Sequence, residues 1–203
     1  MILNIPKPVI LASVSPRRAL LLQQIGIRAS VIPSSVEEEL SCGVQPREFV
    51  VRNALNKALD VSPRIENGIV IGADTIVVLN GKILGKPRDE EEAKHMLRML
   101  SGREHRVYTG FALVDRPSNA QITDVEETRV VFRSIPELEI EAYVRSGSPM
   151  DKAGAYGIQD DYGAVFVERI EGDFYTVVGF PLAKFYIRLQ ELLRHVDGKL
   201  EHR

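Results

Sequence analysis

At 203 residues, with 44% hydrophobic and 27% charged side chains, the chain can form one large domain or two small lobes around a proper core. A net charge of −2 without long basic runs excludes a global field for nucleic acid and fits a small anionic ligand better. The single cysteine, Cys42, forms no internal disulfide, and no Cys/His spacing resembles a zinc site. The opening Met-Ile-Leu-Asn-Ile-Pro-Lys-Pro lacks the basic leader and long apolar region of a signal peptide. No apolar run reaches membrane-spanning length, so the reading is a cytoplasmic protein with no membrane partner and no nucleic-acid partner.

Pro8 to Ala12 reads as a short buried strand. Ser15 then serves as an N-cap and Pro16 as the first helical residue, where a missing N–H costs nothing. Ala19, Leu20, Leu22 and Ile25 supply the apolar face of this helix. Arg17 and Arg18 therefore fall in its first turn, against the dipole, where cations are disfavoured. An anion seated there resolves the anomaly, because free N–H groups, serine hydroxyls and two guanidinium forks would all point at it. The turn is a candidate phosphate site.

Ile27 to Ile32 is rich in β-branched residues and predicts a second strand. A polar loop with Glu37, Glu38 and Glu39 follows, and Pro46 opens a helix with Val50, Val51, Ala54, Leu55 and Ala58 inward. Ile69 to Asp74 is an apolar strand that continues through Thr75 to Leu79 and meets a hairpin signal at Asn80-Gly81. Asp89, with Glu92 three residues on, caps a helix whose inward residues are Ala93, Met96, Leu97 and Leu100. Two long strands are expected across 104–115 and 122–133, then a helix from Ser134-Ile135-Pro136-Glu137. Residues 163–170 and 174–179 read as paired strands around Glu171-Gly172-Asp173. The last helix starts at Pro181, with Leu182, Phe185, Leu189 and Leu192 on one face, and frays after residue 195. With no repeat and no linker-like segment, this mixture implies a single α/β domain over 1–203, a mixed, twisted sheet flanked by helices.

Asp74 closes the apolar run Ile69–Ala73. A carboxylate there suits a site mouth, where α/β proteins bind ligands, and it equally suits a strand-ending Asp that accepts a loop hydrogen bond. The residues alone leave both readings open. A carboxylate from Glu37–Glu39 together with Asp74 could hold Mg²⁺, and the same acidic run could be a solvated loop. Asp89-Glu90-Glu91-Glu92 is explained by its helix N-terminus. Lys57 on the second helix and Lys86 in the constrained Gly85-Lys86-Pro87 loop are either ordinary surface lysines or site residues. Asp151 to Gln159 is glycine-rich without being a dinucleotide fingerprint. It suits a loop lying against a flat ligand or a tight connection that needs positive φ angles. There is no P-loop and no G-x-S-x-G elbow, and His95, His105, His195 and His202 show no zinc spacing.

Ala12-Ser13-x-Ser15-Pro16-Arg17-Arg18, Gly72-Ala73-Asp74-Thr75, Lys86-Pro87-Arg88 and Ala153-Gly154-Ala155-Tyr156-Gly157-Ile158-Gln159 together resemble the Maf family of nucleoside triphosphate pyrophosphatases. The closing Val177-Val178-Gly179-x-Pro181-Leu182 matches as well, and the resemblance runs in order from about residue 8 to about 193. It implies an α/β fold distantly similar to inosine triphosphate pyrophosphatases, with a cleft between two lobes. It implies hydrolysis of a nucleoside triphosphate to the monophosphate and pyrophosphate with a divalent metal, Mg²⁺ or Mn²⁺. Gly157-Ile158-Gln159 looks like the branch acting on dTTP and UTP.

Carried over by position, Asp74 matches the proton acceptor, and Arg17, Thr75 and Gln159 match positions linked to substrate choice. Ser13, Arg17, Arg18, Lys57 and Lys86 match phosphate-binding positions. Glu38 matches the metal position alongside Asp74, with Glu37 and Glu39 sharing its register. The resemblance suggests a homodimer. Asp160-Asp161-Tyr162 departs from the family pattern, which often has a glycine and a small or apolar residue there; the extra carboxylates either weaken anion binding or add metal ligands. The rival reading is a nucleotide-binding regulator of septum formation without turnover. The retained Asp74 and both arginines favour catalysis, because a pure binder needs no base at that position.

Overall fold

A computed structural model describes residues 4–36, 44–159 and 162–200, with side chains as far as residue 196. The first half of the chain runs β1 (Val9–Leu11), α1 (Pro16–Gln24), β2 (Ala29–Val31), α2 (Pro46–Val61), β3 (Gly68–Leu79), β4 (Lys82–Leu84) and α3 (Glu90–Leu100). The second half runs β5 (Glu104–Arg116), β6 (Gln121–Phe132), α4 (Glu137–Arg145), α5 (Gly163–Phe166), β7 (Val167–Glu171), α6 (Phe174–Val178) and α7 (Leu182–Leu200). Among the described residues, seven strands join in one mixed sheet of order β2-β1-β3-β5-β6-β7, with β4 paired to β3. This is the expected mixed α/β sheet flanked by helices.

β1 lies parallel to both β2 and β3, so Leu11 is level with Val31 on one side and Ile71 on the other. β3 is buried over nearly its whole length, which is why its sequence reads as a continuous apolar run instead of an alternation. It turns into β4 at Asn80 and Gly81, whose φ angles of 50° and 79° are those the hairpin signal demands. Asp89 caps α3 as expected, accepting from the Glu92 N–H at 2.8 Å.

The chain divides into two compact units. The first comprises Met1–Asp74, Thr109–Glu126 and Gly179–Arg203. Its interior joins Ile10, Ala12, Ala54, Ala58, Val61, Val70, Ala112 and Val114, and a second knot gathers Phe111, Phe180 and Phe185, with Phe111 edge-on to Phe185. The second unit comprises Thr75–Tyr108 and Glu127–Val178. Its aromatic centre is Phe132, Tyr156, Phe166, Tyr143 and the buried His105.

Four expectations are corrected. The second strand is only Ala29–Val31 and half-exposed, as fits a strand at the end of the sheet order. Residues 174–178 are helical because the Asp173 carboxylate accepts from the Thr176 N–H at 2.6 Å, a helix-starting cap that strand patterning cannot reveal. Only β7 follows β6 there, and residues 163–166 form a short helix before it. α7 continues past residue 195 to Leu200, since extending an existing helix costs far less than nucleating one, and the rest of the expected frayed tail lies outside the described residues.

Candidate active site

Two glycines let α2 settle onto the sheet. A Cβ at Gly72 of β3 would lie 2.0 Å from the Ala54 carbonyl oxygen, and one at Gly110 of β5 would lie 2.6 Å from the Val50 carbonyl carbon. Helix backbone therefore touches strand backbone at both points. Side chains alternate across a strand, so Asp74, two residues beyond Gly72, projects toward the same α2 face.

That face carries polar groups where the apolar pattern predicts none. The buried stripe of α2 is Phe49, Val50, Asn53, Ala54, Lys57, Ala58 and Val61. Asn53 and Lys57 are four residues apart and so stack along one side of the helix. Lys57 Nζ lies 2.9 Å from Asp74 Oδ1, and Asn53 Nδ2 donates to Asp74 Oδ2 at 2.9 Å. The ammonium also reaches the Ala73 carbonyl at 3.4 Å. Asp74 is 2% exposed, Asn53 6% and Lys57 7%, so the ion pair and its amide are shut away from bulk water. Asp74 is also the seventh of the twelve residues of β3, not its end, because β3 runs on into the hairpin with β4.

The Ser-Pro-Arg-Arg turn follows β1. Pro16 takes the first helical position as expected, and Ser15 has the extended backbone of an N-cap without a side-chain cap bond. The buried residues of α1 are Arg18, Leu21 and Leu22, and Leu20 points outward at 63% exposure. The apolar face is thus rotated from the expected one, and the rotation separates the two arginines. Arg18 is buried: its Nε donates to the Gly179 carbonyl at 3.0 Å and its Nη1 to Ser13 Oγ at 2.9 Å. Arg17 is half-exposed. Ser13 is buried and also receives the Ser15 N–H at 3.3 Å.

Thr75, Lys86 and Gln159 belong to the second unit. Thr75 follows Asp74 directly in β3 and is half-buried. Lys86 is exposed in the connection between β4 and α3. Gln159 is exposed at the end of the Ala153–Gln159 segment. That segment is tied down firmly. Gly154, at φ 69°, donates to the Gly85 carbonyl, and a Cβ on it would strike Val77 at 2.9 Å. Tyr156 meets His105 Nε2 at 2.8 Å, and Gly157 N–H donates to the Tyr143 hydroxyl at 3.3 Å. Burial pushes the Tyr156 phenol up and the His105 imidazole down to about 3. Glu38, with Glu37 and Glu39, lies outside the described residues, as do Cys42, Asp160, Asp161 and His202.

The donor chemistry bears on the expected cation. Among the described residues no group of three His, Cys, Asp or Glu side chains converges as a metal cage. Asp74 offers one hard carboxylate, the number that Mg²⁺ commonly takes from a protein when phosphate oxygens and waters supply the rest. A single carboxylate of this kind fits a cation that arrives with phosphates. No helix among the described residues is long and apolar enough to cross a membrane.

A family model described as Maf-like protein matches residues 8–192. The chain belongs to the Maf family. Among relatives of this Maf chain, the dTTP/UTP pyrophosphatase of Carboxydothermus hydrogenoformans is 49% identical over 181 residues, which is 89% of this chain and 96% of that protein. That of Dictyoglomus turgidum is 48% identical, covering 96% of this chain and 98% of its own. That of Bacillus mycoides is 44% identical, covering 97% and 99%. Among solved structures, the Staphylococcus aureus Ham1 protein is similar at a TM-score of 0.42 and 16% identity, over 62% of this chain and 72% of that one.

Sequence reasoning missed Asn53. The available signal was an amide on the buried stripe of α2, four residues before Lys57.

Proposed function

We propose that this Maf chain hydrolyses nucleoside triphosphates, dTTP and UTP foremost, to the monophosphate and pyrophosphate. The observation that carries the reading is the buried Asp74 carboxylate, gripped by Lys57 and Asn53 at the position the family resemblance gives to the proton acceptor. The names of relatives at 44–49% identity over nearly whole chains support the substrate class.

In this reading Asp74 orients and deprotonates the water that attacks phosphorus, general-base work commonly worth about 10²–10⁴-fold in rate. Lys57 pairs with that carboxylate at 2.9 Å. Arg17 binds the phosphates directly, Arg18 and Ser13 shape the turn that presents it, and Lys86 adds positive charge. Thr75 and Gln159 hydrogen-bond the base; a site built from such groups rejects bases that leave them unpaired. A divalent cation, held by Glu38 and Asp74, would neutralise charge on the departing pyrophosphate when bound. Residues 1–203 act as one domain, in the cytoplasm and, by family analogy, as a homodimer.

The test is direct. Purified protein with Mg²⁺ is incubated with a panel of nucleoside triphosphates and pyrophosphate is measured. Release highest from dTTP and UTP supports the reading, and no release from any nucleotide overturns it.

A further inference from the structure

We propose that Asn53 is a positioning residue for hydrolysis, its amide fixing the Asp74 carboxylate in the orientation that accepts the water's proton. The inference rests on the hydrolase reading above. It starts from a residue whose presence folding does not explain. Asn53 sits 6% exposed within a helix face otherwise built from Phe49, Val50, Ala54, Lys57, Ala58 and Val61. Asparagine is a poor interior helix residue, and burying its amide is unfavourable unless the amide is hydrogen-bonded. Its Nδ2 lies 2.9 Å from Asp74 Oδ2. An ionised carboxylate only accepts hydrogen bonds, so the amide must present its nitrogen, and the assignment of that atom is fixed by the pairing.

The two α2 side chains divide the work on Asp74. The torsion that rotates a carboxylate about its own axis is broad and two-fold, so one partner does not fix it. Here Lys57 holds Oδ1 and Asn53 holds Oδ2, each at 2.9 Å, and both come from one side of one helix. Gly72 and Gly110 bring that helix into backbone contact with the sheet, so the two donors are fixed relative to β3. An aliphatic residue at position 53 would remove this donor from Oδ2, whereas the amide supplies it at 2.9 Å.

The experiment compares wild type with Asn53→Leu, Asn53→Ala and Asn53→Gln, using dTTP and Mg²⁺ and recording kcat, KM and thermal midpoint. Leu keeps the volume and Ala is the best helix former, so at least one donor-free variant retains the fold. The expected result is a kcat loss of about ten- to hundred-fold in both, a fraction of what a general base supplies, with KM within two-fold of wild type. Asn53→Gln, which keeps the amide, recovers most of the rate. Wild-type kcat in a folded donor-free variant overturns the proposal and leaves the hydrolase reading standing. So does a loss that Gln does not recover and that tracks the melting temperature across variants. If wild type itself releases no pyrophosphate from any nucleotide, the hydrolase reading falls and this proposal falls with it.

Discussion

The Arg18 guanidinium donates to the carbonyl of Gly179, joining residues 161 apart in the sequence within the same unit. The same side chain holds Ser13 Oγ, so one buried arginine fastens the turn after β1 to the segment that leads into α7. Its charge is spent on the protein's own oxygens. Arg17, its neighbour, remains half-exposed on the first turn of α1.

The two arginines should therefore separate in mutagenesis. Arg18→Ala removes the charge-assisted hydrogen bonds to Gly179 and Ser13, each worth about 1.5–3 kcal/mol, and should lower the urea midpoint clearly. Arg17→Ala should lower stability less than Arg18→Ala does, since Arg17 is half-buried where Arg18 is buried. It should instead raise KM for the triphosphate about ten-fold or more, the loss of one charge-assisted contact. Paired urea titrations and steady-state kinetics check both halves. Equal effects of the two substitutions would refute the division.

Asp74→Asn carries a consequence beyond lost activity. It should cut pyrophosphate release by about 10²–10⁴-fold, as removal of a general base does. It also breaks the buried Lys57–Asp74 pair, and breaking such a pair costs about 3 kcal/mol. For a chain of this size that lowers the thermal midpoint by roughly 6–12 °C. Replacing Lys57 with Met in the same protein removes the other half of the pair. The double variant should melt near the wild-type temperature and remain inactive. Calorimetry and a pyrophosphate assay on the three variants separate the charge's structural role from Asp74's chemical one.

Much of this arrangement was legible in the sequence, and what was missed has a common cause. Asn80-Gly81, Asp89 with Glu92, and Pro16 are local signals, and each fixes the backbone that its own residues require. Asp74 and Lys57 are 17 residues apart in sequence and meet only because α2 lies on β3 at Gly72. No local pattern encodes that approach. The helix at Phe174–Val178 was hidden for a similar reason. Asp173 is set in place by Thr128, which donates to its carbonyl at 2.8 Å and receives its N–H at 2.9 Å from 45 residues away. Leu20 was expected inward on apolarity alone, yet the buried position went to Arg18 because Gly179 and Ser13 satisfy its donors.

Gly72→Ala tests whether the site depends on the closeness of α2. The added Cβ would sit 2.0 Å from the Ala54 oxygen and 2.9 Å from the Ala58 nitrogen, both backbone, so the helix must move. Overpacking of this kind costs about 1–3 kcal/mol and occasionally more. Because Asn53 and Lys57 ride on the same helix, the shift should also loosen their hold on Asp74. The expected outcome is a kcat loss larger than in Asn53→Leu, together with a lower thermal midpoint. Full activity in a destabilised Gly72→Ala protein would show that the approach of α2 serves stability alone.

His105 gives the second unit an acid-sensitive point. It is 2% exposed in the second unit, with Nε2 on the Tyr156 hydroxyl, and its Nδ1 is a buried atom without a hydrogen-bond partner among the described residues. Burial lowers its pKa from 6.5 to about 3, so the folded protein keeps the ring neutral where the unfolded chain protonates it. The unfolded state then binds the extra proton between those two values, and stability falls as the pH drops through that window. At pH 5 the loss relative to pH 7.5 comes to about 2 kcal/mol, from 1.36 kcal/mol per pH unit below the unfolded value. Above pH 6.5 the contribution is flat. Asn cannot titrate here and has a similar reach, so His105→Asn should lower stability at neutral pH yet remove this slope. Urea midpoints measured from pH 5 to 8 should fall toward acid more steeply in wild type than in the variant. Identical slopes would show that other groups set the acid limb and that the imidazole is protonated in place without cost.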